Sequence, residues 1–228
     1  MKLAKRIIAI ALLVSLCLSM IACSSSSANI FGVTTPTTPL AASDSSTQSD
    51  TEPSAAYQND FFGYSCVLPD DWYVLNDKEI SKMIGTTNEA FSDIETYKLL
   101  QKSLDSGESQ VDFYAYSPDY SQTVSVILVK ENLLEMLLQE KILLEAAMPI
   151  SKSTLEEMGV TNISHNTEKI SFLGKEHVAL YVEGDIQGET IYQVTVLLRK
   201  GSYMSNFSVS GYDQAALQTQ LDYFQVIQ

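Results

Sequence analysis

Two histidines, three cysteines and two groups of acidic side chains are the residues of this 228-residue chain whose types suit chemistry. His165 and His177 stand alone, with no Gly-x-Ser-x-Gly turn, no His-Glu-x-x-His pair and no glycine-rich phosphate loop beside them. His177 alternates with Ala179 and Tyr181, opposite Val178, Leu180 and Val182, which read as the inward face. A surface or hydrogen-bonded structural histidine is therefore expected there, and no catalytic residue is assigned. Glu183, Asp185 and Glu189 crowd one turn, and Asp60, Asp70 and Asp71 form a second group. Carboxylates suit calcium, but the alternating Asp/Asn ladder and fixed glycine of a calcium loop are missing, so solvated turns are expected, with no metal and no cofactor. Cys66 shares a strand face with Tyr64 and Leu68 and has no basic residue close in sequence, so it reads as a small buried hydrophobe.

Cys23 is different. Lys2, Lys5 and Arg6 precede the apolar run Ile7 to Leu18, and Met20-Ile21-Ala22-Cys23 closes it, the three-part layout of a secretory signal. The run is too short to span a bilayer as a stable helix. Ala22 is small enough for a narrow peptidase pocket, and Cys23 offers a thiol for alkylation with diacylglycerol. The tetrapeptide resembles the bacterial lipobox, with Met20 where leucine is commoner. Cys17 follows the larger Leu16 inside the apolar run and is the poorer candidate. Cleavage between Ala22 and Cys23 is thus expected, leaving residues 23–228 on the extracytoplasmic face of the cell membrane. Two or three acyl chains, palmitate among them, would make that anchor lasting.

Loss of the signal removes three positive charges from a formal net charge of -14, and Arg199 is then the sole arginine. So acidic a surface repels nucleic acid and anionic headgroups, and neither is expected as a partner. Cys66 alone remains in the folded region, so no internal disulfide is expected.

From Cys23 to residue 56 the composition is Ser, Thr, Pro and Ala with a few acids. It cannot bury enough apolar surface to order itself, so a lipid-bearing disordered stalk reaching roughly 30 Å is expected. Residues 57–228 read as one domain. Its first element, Phe61 to Pro69, is a strand closed by Pro69-Asp70-Asp71 before Trp72 and Tyr73. Helices are expected from Asp77 to Ile84 and from Asn88 to Leu104. Strands follow at Val111–Tyr116 and Thr123–Val129. The strongest helix pattern is Asn132 to Ala147, stopped by Pro149, with a short helix from Ser153 to Met158. Strands at about 163–172, 177–183, 190–198 and 203–209 are joined by hairpin-length connections, and Asp213 caps a helix through Phe224. The class is α+β, an antiparallel β-sheet flanked by helices.

Phe62-Gly63-Tyr64-Ser65-x-x-Leu68-Pro69-x-x-Trp72, the hairpin Phe172-Leu173-Gly174-Lys175-Glu176 and the strand pair around Arg199-Lys200-Gly201-Ser202-Tyr203 resemble the PsbP-like group. That resemblance implies an α/β/α sandwich and a binding or assembly role rather than catalysis, and it transfers no site residue.

Two features bear on binding. At 100° steps, Leu133, Met136, Leu137, Leu144 and Ala147 share one face of the 132–147 helix with Glu140 in its middle, and Leu134, Leu138 and Ile142 form a second stripe. Glu140 is expected to be desolvated and to seek a lysine, a tyrosine hydroxyl or water. So much apolar circumference calls for cover on more than one side, by the domain itself before a partner. Strand alternation also leaves a polar, uncharged face of Ser125, Tyr181, Gln193, Thr195, Asn206 and Ser208. Such a face grips a ligand or peptide, or else lies beneath a helix layer, as the resemblance implies. The functional expectation is a non-catalytic, lipid-anchored protein that engages a protein or envelope component. A small-molecule or metal-binding lipoprotein comes second and a hydrolase last.

Overall fold

The computed structural model describes residues 56–91, 95–131 and 135–227. In chain order the strands are β1 (Tyr57–Asn59), β2 (Tyr64–Cys66), β3 (Tyr73–Val74), β4 (Ser109–Tyr116), β5 (Gln122–Lys130), β6 (Thr161–Phe172), β7 (Lys175–Ile186), β8 (Glu189–Lys200), β9 (Tyr203–Gly211) and β10 (Phe224–Val226). The helices are α1 (Asp77–Phe91), α2 (Glu95–Ser106), α3 (Glu140–Glu157) and the short α4 (Ala216–Leu221), with a single 3-10 turn at Glu135–Leu137. Strands β3-β4-β5-β9-β8-β7-β6 form one sheet, antiparallel throughout, and β1-β2-β10 form a small second one.

The meander β6–β9 follows from its turns. Leu173-Gly174 and Gln187-Gly188 both take positive φ, at 49° and 74° and at 55° and 90°. Two successive residues of that kind make the hairpin turn whose twist matches the flanking strands, and glycine supplies the second at no steric cost. The second turn also explains a difference from the sequence reading: Gly184 to Ile186 continue β7, and only Gln187-Gly188 turn.

Both faces of the large sheet are covered. Tyr114, Ile127, Leu180, Val182 and Leu197 gather with Leu144, Ala147, Met148 and Leu155 of α3 and Ile80 of α1. On the other face Phe113, Val126, Val194, Val196 and Phe207 gather with Tyr64 and Cys66 of β2, Leu217 and Leu221 of α4, and Phe224. The result is the expected α+β class, a sheet between a helix layer and a mixed layer of small sheet and short helix. A sheet buried on both sides has no single inward face, which is why His177 is buried along with Val178's neighbours.

Three helix expectations need correction. The strongest of them, over 132–147, is not the helix that forms: α3 starts at Glu140 and runs through Pro149 to Glu157, absorbing the short helix expected at Ser153. Pro149 removes one backbone hydrogen bond, but it stands with Glu145 on the exposed side of the helix. Meanwhile Leu143, Leu144, Ala147, Met148, Ser151 and Leu155 keep a continuous buried stripe across it. The first helix runs past Ile84 to Phe91. The last is only Ala216–Leu221, because Phe224 leaves it to pair with Cys66 in β10 and to pack its ring 4.9 Å from Phe207.

Candidate functional site

The sheet carries the expected polar face, but split. Thr195 stands opposite Ser208, which stands opposite Ser125, and Gln193 and Asn206 share that side. All five are at most 6% exposed. Thr195 Oγ1 and Ser208 Oγ lie 2.9 Å apart, Gln193 Nε2 donates to Thr195 Oγ1 at 3.2 Å, and Ser208 Oγ donates to the Asn206 amide oxygen at 3.3 Å. Gln193, Thr195, Ser208 and Asn206 thus bond to one another on the helix side of the sheet, where they are covered, and Gln193 also borders the cleft described below. Tyr181 does not belong with them. Its register partner on β8 is Val194, not Thr195, so it stands on the opposite face, with Ala179.

Arg199 builds the second feature, at the end of β8. Its Nη2 donates to the Glu135 carbonyl at 2.7 Å, and its Nη1 donates to the Leu138 carbonyl. The same guanidinium lies 2.5 Å from a carboxylate oxygen of Glu131, whose side chain is 1% exposed. That contact is charge against charge rather than an aligned hydrogen bond. Arginine suits this place because its planar fork reaches several acceptors at once while staying charged. Glu131, Glu135 and Leu138 are thereby tied to the end of β8, and Gln139 is extended, at φ -71° and ψ 149°.

This tie decides what happens to the expected apolar helix. Leu137 is 82% exposed, and Met136, Leu138 and Ile142 are 37–46% exposed. The domain covers them only in part, short of the expectation: Met136, Leu137 and Leu138 precede the helix that starts at Glu140, and Ile142 stands on the outer side of its first turn. Leu133 and Leu134 lie outside the described residues. Glu140 itself is not mid-face: as the first residue of α3 it is a quarter exposed, and its Oε1 lies 3.3 Å from Nδ1 of His177. His177 is 8% exposed and sets its ring edge-on to Phe172 at 6.2 Å. The histidine is a structural partner for the start of α3.

At the other end of β8 lies a shallow cleft of about 110 Å³ between β6, β7, β8 and the approach to α4. Tyr181, Tyr192, Glu183, Ser164 and Gln214 are among the residues lining it. Sequence reasoning had Tyr181 and Gln193 in view but missed the cleft, since Gln214 joins it from a distant part of the chain.

A third cluster fixes the start of the domain. The Tyr57 hydroxyl donates to the carboxylate of Asp112, Asn59 Nδ2 donates to the same oxygen at 3.2 Å, and Tyr64 and Ser205 hydroxyls lie 3.0 Å apart beside them. A register shift between Val111 and Phe113 turns Asp112 toward β1. Burial, with the nearby Tyr64 and Asp112, pushes the Tyr57 phenol well up, so it stays a donor. Burial likewise pushes the Cys66 thiol up to about 12, which suits packing and not redox chemistry.

Among the described residues no three His, Cys, Asp or Glu side chains come together as a metal site, and no helix is long and apolar enough to cross a membrane. Asp185 instead accepts from Asn162 Nδ2 and Thr190 Oγ1, both at 2.7 Å. Ala22 and Cys23 lie outside the described residues.

No family model and no curated protein matches this chain. Solved structures do. The chain is similar to the cyanobacterial PsbP protein CyanoP from Synechocystis sp. PCC 6803, at 14% identity over 75% of this chain and 90% of that one, with a TM-score of 0.48. It is similar to a protein of Bacteroides thetaiotaomicron VPI-5482, at 11% identity over 73% of this chain and 46% of that one, with a TM-score of 0.38. A third is LpqN of Mycobacterium tuberculosis, described as involved in cell envelope biogenesis, at 14% identity over 72% of this chain and 83% of that one, with a TM-score of 0.36. The α+β class rests on the strand pairing itself.

Proposed function

We propose that this chain is a non-catalytic protein of the outer side of a cell membrane, anchored by lipid on Cys23, and that it docks an envelope protein. The observation that carries this reading is the exposed group Met136, Leu137 and Leu138, in the segment that Arg199 binds, with Ile142 of α3 beside it in sequence. A lone exposed leucine is ordinary, but four large apolar side chains within seven residues form a patch of the kind that marks an interface. Burying one such side chain is worth roughly 1.5–3 kcal/mol, so the group can support an encounter that a membrane tether then makes frequent. Backbone bonds to Arg199 fix the segment in advance, which lowers the ordering cost of binding. The acidic surface turns the chain away from nucleic acid.

Chemical cross-linking of living cells tests this. The wild-type chain should give one or a few discrete adducts, Leu137→Asp should lose them, and shuffling residues 24–56 at constant length should keep them. Adducts that survive Leu137→Asp and vanish on shuffling would move recognition out of the folded domain. The anchor has its own test: labelled palmitate should enter the wild-type chain and not Cys23→Ala, and label in that variant would show the attachment site to be wrong.

A further inference from the structure

We propose that the cleft at the β6-β7-β8 end is a binding site for one neutral, hydroxyl-rich ring, a sugar unit, separate from the docking patch. The argument starts from register. Ser164, Glu183 and Tyr192 stand in one row across β6, β7 and β8, and Asn166 and Tyr181 stand in the next row of β6 and β7. Rows on one face are two residues apart, about 6.6 Å, and neighbouring strands about 4.8 Å, a grid that matches the breadth of a six-membered ring. Tyr181 and Tyr192 sit diagonally on adjacent strands, so their rings flank the space between them. Gln214 closes it from the side of α4.

The lining chemistry selects the ligand. Beside apolar Val182 and Leu217 it offers two phenols, a hydroxyl, carboxamides and one carboxylate, and it contains no lysine, arginine or histidine. A phosphate, sulfate or carboxylate ligand would meet no positive partner here, in a chain whose formal net charge is -14. Ser164 Oγ donates to Oε1 of Glu183 at 2.8 Å, which orients that carboxylate and leaves its other oxygen to accept from a ligand hydroxyl. Carboxamides both donate and accept, as a vicinal diol does, and tyrosine faces take the C–H side of a ring. Burial and Glu168 push the Tyr181 phenol up, so it enters contacts as a neutral hydroxyl. At about 110 Å³ the cleft is smaller than the roughly 300–1,000 Å³ sites that enclose drug-sized ligands, so it takes one ring and not an oligomer along its length.

The same chemistry is met by a free sugar or by the end of a glycan chain, and the two arms of the experiment separate them. The full-length chain in detergent is titrated with neutral mono- and disaccharides, with inorganic phosphate as the contrasting probe, while the side-chain amide signals of asparagine and glutamine are followed by NMR. In parallel it is sedimented with insoluble cell-wall polysaccharide. At least one arm should bind: sugars should shift the Asn166 and Gln214 amides, or polysaccharide should carry the chain down. Glu183→Gln, an exposed change that leaves the fold in place, should weaken that binding about 10-fold, and Tyr192→Ala at least as much. Leu137→Asp should leave it unchanged. Binding in neither arm, binding unaffected by Glu183→Gln in a folded protein, or a preference for phosphate would each overturn the proposal. Because the docking patch is read by cross-links and this cleft by sugar binding, either can fail alone.

Discussion

Tyr192 and Arg199 stand near opposite ends of β8, roughly 23 Å apart along an extended strand, and the chain treats those ends in opposite ways. At the Arg199 end a buried charge pair and two backbone carbonyl contacts hold the segment that bears exposed apolar side chains. At the Tyr192 end polar side chains line a cleft formed on paired strands. At the first end, exposed apolar side chains and a charged tie occur together. The difference teaches that exposure by itself says little, while exposure beside an arginine paired with a buried glutamate points to use.

Breaking the tie should have the largest effect. Arg199→Met strands the Glu131 carboxylate, 1% exposed, without its partner. A loss of about 3 kcal/mol in urea unfolding is expected, most of it recovered by adding Glu131→Leu. A loss under about 1 kcal/mol would mean that the tie is ornamental. Next comes the cleft end, where packing replaces charge. A Cβ on Gly184 would sit 2.6 Å from Cγ1 of Val160, which is itself 2% exposed. Gly184→Ala should therefore cost roughly 1–3 kcal/mol by the same unfolding measurement, and a neutral result would show that the strands there yield easily. The smallest effect belongs to the patch itself. Leu137→Ser should change stability by less than about 0.5 kcal/mol, because the residue touches mainly water. A substantial loss would show that Leu137 packs against the domain and is not held ready for a partner.

Much of the frame was legible because it is local. The β6–β9 meander announced itself through alternation and through Leu173-Gly174 and Lys200-Gly201, where short turns dictate the pairing on either side. The 131–139 segment was not legible. Its leucines repeat at helical spacing, yet Arg199, more than sixty residues away, binds the Glu135 and Leu138 carbonyls, and the Leu138 N–H closes a 3-10 bond to the Glu135 carbonyl at 2.9 Å where an α-helix would bond four residues back. Arg199, the sole arginine beyond Arg6 in so acidic a chain, was the one available signal. β10 was missed for a similar reason: its partner is Ser65 with its neighbours, far back in the chain, and nothing in Phe224-Gln225-Val226 alone distinguishes a helix end from an edge strand. The cleft shows the same limit, since Tyr181 looked like part of the Thr195 row until the β7–β8 register placed it on the other side.

The most direct test of the docking claim compares the two ends inside the cell. A photo-cross-linking amino acid is placed at 137 in one strain and at 183 in another, and adducts are resolved after illumination. The account predicts one or a few discrete protein adducts from position 137 and none of the same size from position 183. No adduct from 137, or the same adducts from both positions, would contradict it.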